Sequence, residues 1–151
     1  MMSLPMKKIC VFCTKSEIKK RVVYEDELVF AFPTYIPITT GHMLLCPVRC
    51  VPAISELTAE ELLALFALRE RITSGLKRAF GAEGFNCAWN ENEVAGQDIP
   101  HLHLHVVPRK KGDTGITEYE PRKFLYRPGS REPSPEEELQ AVSELVKKAL
   151  Q

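Results

Sequence analysis

Three histidines lie at a spacing of two within the segment AGQDIPHLHLHVVPRKKGD, residues 95–113. They are His101, His103 and His105, separated by leucines. Residues two apart on a β-strand point to the same side, so the pattern predicts a row of imidazoles roughly 6–7 Å apart. Neutral imidazole can act as a nucleophile, a base or a metal ligand near pH 7. The spacing favours a division of these tasks over one metal bound by all three rings. The alternative is a set of exposed histidines without a shared task.

The cysteines are the second group whose spacing suggests chemistry. Cys10 and Cys13 form a C-x-x-C motif, which in a reducing compartment is typical of half a zinc site or of a redox pair. A thioredoxin-like motif follows a strand and opens a helix, whereas this one lies close to the N-terminus and precedes the polar segment TKSEIKKR. The position therefore favours a metal. Cys46 and Cys87 lie in apolar segments and are expected in the core.

The composition is that of an ordinary globular chain, with 151 residues and 44% apolar content. This is enough material for a core, so we expect a single domain over 1–151. Twenty basic residues balance twenty acidic ones, which argues against nucleic acid or a membrane surface as a partner. The start lacks the apolar stretch of a signal peptide and no run reaches transmembrane length, so a cytoplasmic location is expected.

Apolar segments predict the strands that must position these side chains. Two of them flank the polar triplet Glu25-Asp26-Glu27 and predict a β-hairpin. Among the others, HMLLCPV is apolar almost throughout and is expected to be covered on both faces. The predicted strands are residues 22–24, 28–32, 42–48, 85–90 and 100–108.

A long helix is predicted to begin after Thr58, which forms a capping box with Glu61. Helical spacing then continues until Gly81 and Gly84 end the helix. Apart from Arg69, the residues at this spacing are apolar. They are Leu62, Leu65, Phe66, Ile72, Leu76, Ala79 and Phe80.

A last helix is predicted from about Pro135 to Leu150, with Ser134 as its N-cap and three glutamates in its first turn. The order hairpin, strand, helix, two strands, helix predicts an α+β fold with a mainly antiparallel sheet. Residues 9–112 would form the main body of this fold. Residues 113–134 are rich in polar residues, glycine and proline, and are expected to be a loop or tail.

Several segments in the correct order resemble the histidine triad (HIT) superfamily. AGQDIPHLHLHVVPR resembles its H-x-H-x-H signature, TTGHMLLCPVR its G-H strand, and FNCAWNENEVAGQ the strand and loop before the signature. The run PRKK after the triad is similar to the dinucleoside polyphosphate hydrolase branch. The resemblance covers roughly residues 9–112 and implies a HIT-like α+β fold.

The resemblance implies chemistry at the α-phosphate of a nucleotide. By match to the motif, His103 is the nucleophile that forms a covalent nucleotidyl-histidine, which water then cleaves. His105 contacts the phosphate, and His42 supports the site from the adjacent strand. Gln97 and Asn90 match positions that contact the phosphate or the leaving group. This chemistry requires no catalytic metal.

The expected nucleoside contacts depart from the family pattern. Thr34 stands where the family usually has Asp or Asn bound to ribose, and a hydroxyl lacks the bidentate acceptor of a carboxylate. Phe32 and Leu44 match positions that line the base pocket, although core packing would explain them equally well. Asp98 stands where phosphoramidases usually carry serine, which counts against that branch.

The basic residues after the triad have two interpretations. Arg109, Lys110 and Lys111, together with Arg122 and Lys123, can attract a polyphosphate. The alternative is an ordinary solvated loop.

The resemblance also implies a structural zinc ion. Its ligands would be Cys10, Cys13, His101 and Cys50, which together form a Cys₃His set. The family often has histidine at the position of Cys50, and cysteine is also a suitable ligand there. Reduced cysteines without a metal are the alternative.

The predicted function is hydrolysis of a dinucleoside polyphosphate, such as diadenosine tri- or tetraphosphate, to release a nucleoside monophosphate. One alternative is hydrolysis of an adenosine phosphoramidate, or transfer to phosphate as in the phosphorylases. A further alternative is a non-catalytic nucleotide- or zinc-binding module. The resemblance also implies a homodimer.

Overall fold

The computed structural model describes residues 10–115 and 132–151. Within them, the strands form a five-stranded sheet of order β1-β2-β3-β5-β4, with antiparallel neighbours throughout. The α+β fold with a mainly antiparallel sheet is thereby confirmed. The strands are β1 Tyr24–Glu25, β2 Val29–Pro33, β3 Met43–Pro47, β4 Gly84–Ala88 and β5 Leu104–Arg109. The described helices are α1 Val11–Thr14, α2 Ala59–Phe80 and α3 Glu136–Leu150, with 3-10 turns at Lys19–Arg21, Ile54–Glu56 and Glu93–Ala95.

One face of the sheet packs against the two long helices. Every second residue of β2, β3 and β5 points to this side, where α2 and α3 contribute Leu65, Ile72 and Val146. Burial of each such side chain stabilises the fold by roughly 1.5–3 kcal/mol of transfer free energy. The strand residues on this face are Val29, Ala31, Met43, Leu45, Leu104 and Val106.

The opposite face is covered by the N-terminal segment. Phe12 and Ile18 from that segment pack against the remaining residues of β2 and β3. Every residue of β3 is buried, so the prediction of a strand covered on both faces is confirmed. The strand residues on this second face are Phe30, Phe32, Leu44 and Cys46.

Helix α2 begins and ends where the sequence predicts. The Thr58 hydroxyl accepts from the Glu61 N–H at 3.1 Å, and the Glu61 carboxylate accepts from the Thr58 N–H at 2.9 Å. Gly81 follows the helix with φ 66°, a conformation that favours glycine. Phe66, one of the apolar residues at helical spacing, is 42% exposed, whereas Leu68 is buried. At 100° per residue, Leu68 lies closer than Phe66 to the direction of the buried residues.

Helix α3 packs on α2 and on the segment before β1. Its N-cap is Pro135 rather than the predicted Ser134. Ser134 lies one residue earlier, where its backbone N–H donates to the Tyr35 carbonyl at 2.7 Å. The Ser143 hydroxyl donates to the Arg21 carbonyl at 2.8 Å. Close packing with α2 occurs at Gly75, where an added Cβ would lie 2.9 Å from a methyl of Leu150.

Three strand predictions need correction. The first hairpin strand is only Tyr24–Glu25, because a 3-10 turn at Lys19–Arg21 occupies the chain just before it. Strand β5 begins at Leu104, so the first two triad histidines lie ahead of it. Cys87 is exposed rather than in the core, because it lies on β4 at the edge of the sheet.

None of the helices within 10–115 and 132–151 is long and apolar enough to cross a membrane. The greater part of the predicted loop or tail, with Arg122 and Lys123, lies outside the described residues.

Candidate functional site

Strands β2, β3 and β5 bring Phe32, Leu44 and His105 into one row across the second face. The register pairs Phe32 with Leu44, and Leu44 with His105. Adjacent strands lie about 4.8 Å apart, so this row runs roughly 10 Å from β2 to β5. His103 lies just before β5, with its ring centroid 5.3 Å from that of His105. Two imidazoles therefore stand at one end of an apolar floor.

A cavity of about 110 Å³ lies over this floor. Its apolar walls come from the N-terminal segment and from the loop before the triad, at Val11, Phe12, Ile18 and Ile99. An apolar cavity with a few polar groups is typical of a small-molecule site. Six residues that the sequence predicted for substrate or phosphate contact line it. They are Phe32, Thr34, Leu44, Asn90, His103 and His105.

The buried His42 is held in a defined orientation behind His105. The backbone N–H of Ile38 donates to Nδ1 of His42 at 3.0 Å. Because Nδ1 accepts, the neutral ring carries its proton on Nε2, which lies 2.9 Å from Nδ1 of His105. His105 then accepts on Nδ1 and carries its own proton on Nε2. The two rings thus form a directional series of donors.

The ring of His103 is oriented by its neighbours in the triad. Its Nδ1 lies 2.9 Å from the carbonyl oxygen of His101, which can only accept, so Nδ1 carries the proton. Nε2 of the neutral ring is left with a lone pair. Burial lowers the pKa of His103, which favours this neutral form.

Gln97 lies beside the cavity but its side chain is engaged elsewhere. Its Oε1 accepts from the backbone N–H of Asn92 at 2.9 Å, and its Nε2 donates to the Pro52 carbonyl at 2.8 Å. The residue is 7% exposed. In this structure Gln97 therefore joins the loop before the triad to the loop after β3, while its predicted phosphate contact stays a prediction.

Arg109 lies at the far end of β5, in the wall of a different cavity that also includes Thr39 and Phe80. Its guanidinium forms an ion pair with Asp113 at 2.8 Å and donates to the Asn86 side chain at 3.2 Å. These contacts hold the turn after β5. The structure therefore does not bring Arg109 together with the histidines.

Cys10, Cys13, Cys50 and His101 converge into a cluster whose ligand atoms all lie within 4.8 Å of one another. Nδ1 of His101 is 3.3 Å from the Cys10 sulfur and 3.4 Å from the Cys13 sulfur. Around a tetrahedral zinc ion, neighbouring sulfur and nitrogen ligands lie roughly 3.5–3.8 Å apart. The donor set therefore fits such an ion after small shifts. The pKa of Cys13 is raised to about 12, mainly because its sulfur is removed from water. Hydrogen bonds with Cys10 and Cys50 contribute to the rise.

The second nitrogen of His101 completes the geometry of this cluster. Nε2 lies 2.7 Å from the Pro47 carbonyl oxygen, so it carries the proton and Nδ1 presents a lone pair to the cysteines. Phe12 lies between the two cysteines of the C-x-x-C motif. The centroid of its ring is 5.8 Å from that of His101 and 5.2 Å from that of His103. Phe12 thus links the cluster to the cavity.

Phe12 and Arg21 are among the lining residues that were not identified from the sequence. Phe12 could have been noticed as the aromatic residue between Cys10 and Cys13, where it follows Val11. Arg21 is only 5% exposed and lines the cavity, yet it stands in the charged run KKR, which is typical of a solvated surface. No local pattern distinguishes Arg21 from its neighbours.

The HIT domain family matches residues 15–112 of the chain. The bis(5'-adenosyl)-triphosphatase of Dictyostelium discoideum is 37% identical over 95 residues, which are 63% of this chain and 64% of that protein. The asymmetrical bis(5'-nucleosyl)-tetraphosphatase of Schizosaccharomyces pombe is 35% identical over 103 residues, which are 68% of this chain and 57% of that protein. The chain thus spans less than two thirds of the length of these two relatives.

A solved structure is similar over almost the whole chain. It is a zinc-bound histidine triad family protein from Mycobacterium smegmatis, with a TM-score of 0.72 and 27% identity. The alignment covers 94% of this chain and 93% of that one. The likeness therefore extends beyond the residues that the family matches.

Proposed function

The chain belongs to the HIT domain family, and from this we propose that it is a nucleotide hydrolase acting at the α-phosphate of dinucleoside polyphosphates such as diadenosine tri- or tetraphosphate. The observation that carries the proposal is the hydrogen-bond series from Ile38 through His42 to His105, next to the lone pair of His103. The names of the two relatives support the substrate class.

His103 is the nucleophile in this proposal. Its Nε2 lone pair attacks the α-phosphorus, and the bond to the bridging oxygen breaks, so that the leaving nucleotide departs with that electron pair. A water oxygen then attacks the phosphorus, loses a proton, and the phosphorus–nitrogen bond breaks with its pair returning to Nε2. The covalent intermediate divides one difficult displacement into two easier steps. The hydrogen bond from Nδ1 to the His101 carbonyl supports this orientation.

His105 is the phosphate-binding group. With its Nδ1 accepting from His42, His105 carries its proton on Nε2, from which it would donate to an anionic oxygen at the His103 end of the cavity. Donors fixed in advance stabilise the charge that develops in the transition state without reorganisation. His42 acts through His105 and is a positioning residue.

The nucleoside would occupy the apolar cavity. Phe32 and Leu44 form a floor suited to a flat base, and Thr34 and Asn90 supply polar groups at its wall. For Gln97, the structure supports a role in holding the adjoining loop.

Zinc is the metal we assign to the cluster, in a structural role. Cys10, Cys13, Cys50 and His101 would hold it, and its charge would keep thiolates together at close range. The zinc-bound relative supports this assignment. The proposal also includes a homodimer, which the edge position of β4 supports because its outer side can pair with a second copy.

The test is incubation with diadenosine tetraphosphate, with chromatography of the products. Wild-type protein should release AMP, and rapid quenching followed by mass spectrometry of peptides should find a nucleotidyl group on His103. His103→Ala should lose both, while retaining a normal thermal unfolding curve. No product from the wild type, or undiminished activity in His103→Ala, would overturn the proposal.

A further inference from the structure

The nucleotide cavity has a buried arginine in its wall. Arg21 is 5% exposed. Its guanidinium donates three hydrogen bonds to protein acceptors. Nε donates to the Pro33 carbonyl at 3.0 Å, and Nη1 donates to the Glu17 carbonyl at 3.2 Å and to the Glu136 carboxylate at 2.7 Å. These contacts fix the guanidinium plane.

The remaining nitrogen, Nη2, has no hydrogen-bond partner among residues 10–115 and 132–151. Its two N–H groups therefore form an unsatisfied donor on a buried side chain that lines the cavity. Such groups are rare, because leaving a buried donor without an acceptor costs free energy. A ligand in the cavity would satisfy it.

The sheet register places Arg21 at the end of the cavity away from the triad. Arg21 is bonded to Pro33, the residue after Phe32, and Phe32 is separated from His105 by Leu44. The two strand spacings between Phe32 and His105 amount to roughly 10 Å. A nucleotide with its α-phosphate beside His103 would extend its base over Leu44 and Phe32 towards Arg21.

The ion pair with Glu136 decides which kind of acceptor suits Nη2. The Glu136 carboxylate lies 2.7 Å from Arg21 and already balances its charge. A neutral acceptor therefore suits Nη2 better than the charged oxygen of a phosphate. Guanine presents two adjacent acceptors, N7 and O6, whereas adenine has an amino donor in place of O6. A guanidinium offers donors only.

We propose that Arg21 determines the base preference of this cavity by donating from Nη2 to the O6 acceptor of a 6-oxopurine, so that guanosine and inosine nucleotides are preferred over adenosine nucleotides. This inference rests on the proposed function for the position of the phosphate. Arg21 would thus be a specificity residue on the chain segment before β1, outside the triad and the strands that adjoin it.

The experiment compares kcat/KM for diguanosine, diinosine and diadenosine tetraphosphates. Wild-type protein should favour the first two by about tenfold, the value of one well-placed hydrogen bond. Arg21→Met should lower kcat/KM about tenfold more for the guanosine and inosine substrates than for the adenosine substrate, so that the preference disappears. Equal values for the three substrates in the wild type, or an equal loss for all three in Arg21→Met, would overturn the inference.

A matched variant separates base recognition from folding. Glu136→Gln removes the charge of the partner but keeps an acceptor for Nη1, so the guanosine preference should persist even if the melting temperature falls. Loss of the preference in Glu136→Gln with Arg21 unchanged would count against a direct contact.

Binding of GMP and AMP, measured by calorimetry, makes the inference independent of turnover. Tighter binding of GMP by the wild type, abolished in Arg21→Met, would support it even if no dinucleotide were hydrolysed, in which case only the proposed function fails. Hydrolysis without any base preference in binding or turnover would overturn this inference and leave the proposed function intact.

Discussion

Nε2 of His42 lies 2.9 Å from Nδ1 of His105, and the direction of this hydrogen bond is fixed by the backbone N–H of Ile38, which donates to the other nitrogen of His42. His42 is therefore a donor to His105 and not an acceptor from it. The fold itself therefore places the proton of neutral His105 on Nε2.

Replacing His42 should lower kcat because His105 would lose the donor that fixes its tautomer. His42→Ala removes the hydrogen bond from His42 to Nδ1 of His105, and loss of comparable supporting hydrogen bonds costs about 10- to 100-fold in activity. Steady-state kinetics with diadenosine tetraphosphate would measure the change, which should fall mainly on kcat rather than KM.

His42→Gln is the matched control for this prediction. Its amide nitrogen can reach the position of Nε2 and donate to His105, so it should recover part of the lost kcat. Equal kcat in His42→Ala and wild type would show that the tautomer of His105 has no influence on the reaction. Equal losses in the alanine and glutamine variants would instead attribute the effect to packing.

Removing one ligand from the cysteine cluster should weaken metal binding and destabilise the N-terminal segment. Protein expressed with zinc should contain one zinc ion per chain by elemental analysis, and a chelator should lower the melting temperature. Cys50→Ser should bind zinc more weakly. Because Phe12 lies between Cys10 and Cys13 and forms part of the cavity wall, this variant should also show a raised KM.

Cys87→Ser provides the comparison, since Cys87 is an exposed cysteine outside the cluster. It should match wild type in zinc content and melting temperature. A Cys50→Ser protein with unchanged zinc content and stability would contradict the assignment of these residues as ligands.

The pairing of Glu61 with Arg49 should make stability depend on pH in the acid range. The Arg49 side chain and the Thr58 backbone lower the pKa of Glu61 from 4.5 to about 2. The unfolded chain therefore binds a proton at higher pH than the folded one. The stabilisation is complete above about pH 4.5 and is lost as pH falls through about 2.

Glu61→Gln retains a side chain that can cap the helix but loses the charge. We expect a loss of about 1–2 kcal/mol in the free energy of unfolding at pH 7, reduced by solvent at the half-exposed Arg49. Denaturant unfolding between pH 7 and 2 should show the two proteins converging as pH falls. Glu60→Gln, an exposed neighbour in the same turn, should change stability by less than about 0.5 kcal/mol. A constant difference across the pH range would contradict this account.

The parts of the fold that follow from local pattern could be predicted from the sequence. The capping box of Thr58 and Glu61 determines where α2 begins, and the apolar run of β3 identifies a strand buried on both faces. Cys87 lies in a similar apolar segment but is exposed, because its strand forms the edge of the sheet, and edge position depends on strand order. Sequence alone does not give that order.

The site could be predicted only as far as its residues lie in recognisable motifs. Arg109 follows the triad directly, yet its guanidinium pairs with Asp113 four residues later, a contact that depends on the conformation of the turn. Arg21 becomes part of the cavity because Pro33 and Glu136, remote in sequence, hold its side chain there. Such contacts between distant segments have no local sequence signal.

Gln97 offers the sharpest distinction between a role predicted from sequence and a role observed in structure. The sequence predicts a contact with the phosphate or leaving group, whereas the structure engages both ends of the side chain with the Asn92 N–H and the Pro52 carbonyl. If the observed contacts persist with substrate bound, Gln97→Ala should cost about 1–2 kcal/mol of stability through two buried hydrogen bonds. Its kcat should then fall less than about tenfold, because the phosphate contacts of His105 remain.

Gln97→Glu separates the two roles further. It keeps an acceptor for the Asn92 N–H but replaces the donor to Pro52 with a carboxylate oxygen, so a purely structural role predicts a stability loss comparable to that of the alanine variant. A direct phosphate contact predicts instead that the new negative charge repels the substrate and raises KM far more than alanine does. Melting temperatures and the KM and kcat values of both variants therefore decide between them: unchanged stability with a large kinetic defect would assign Gln97 to the phosphate.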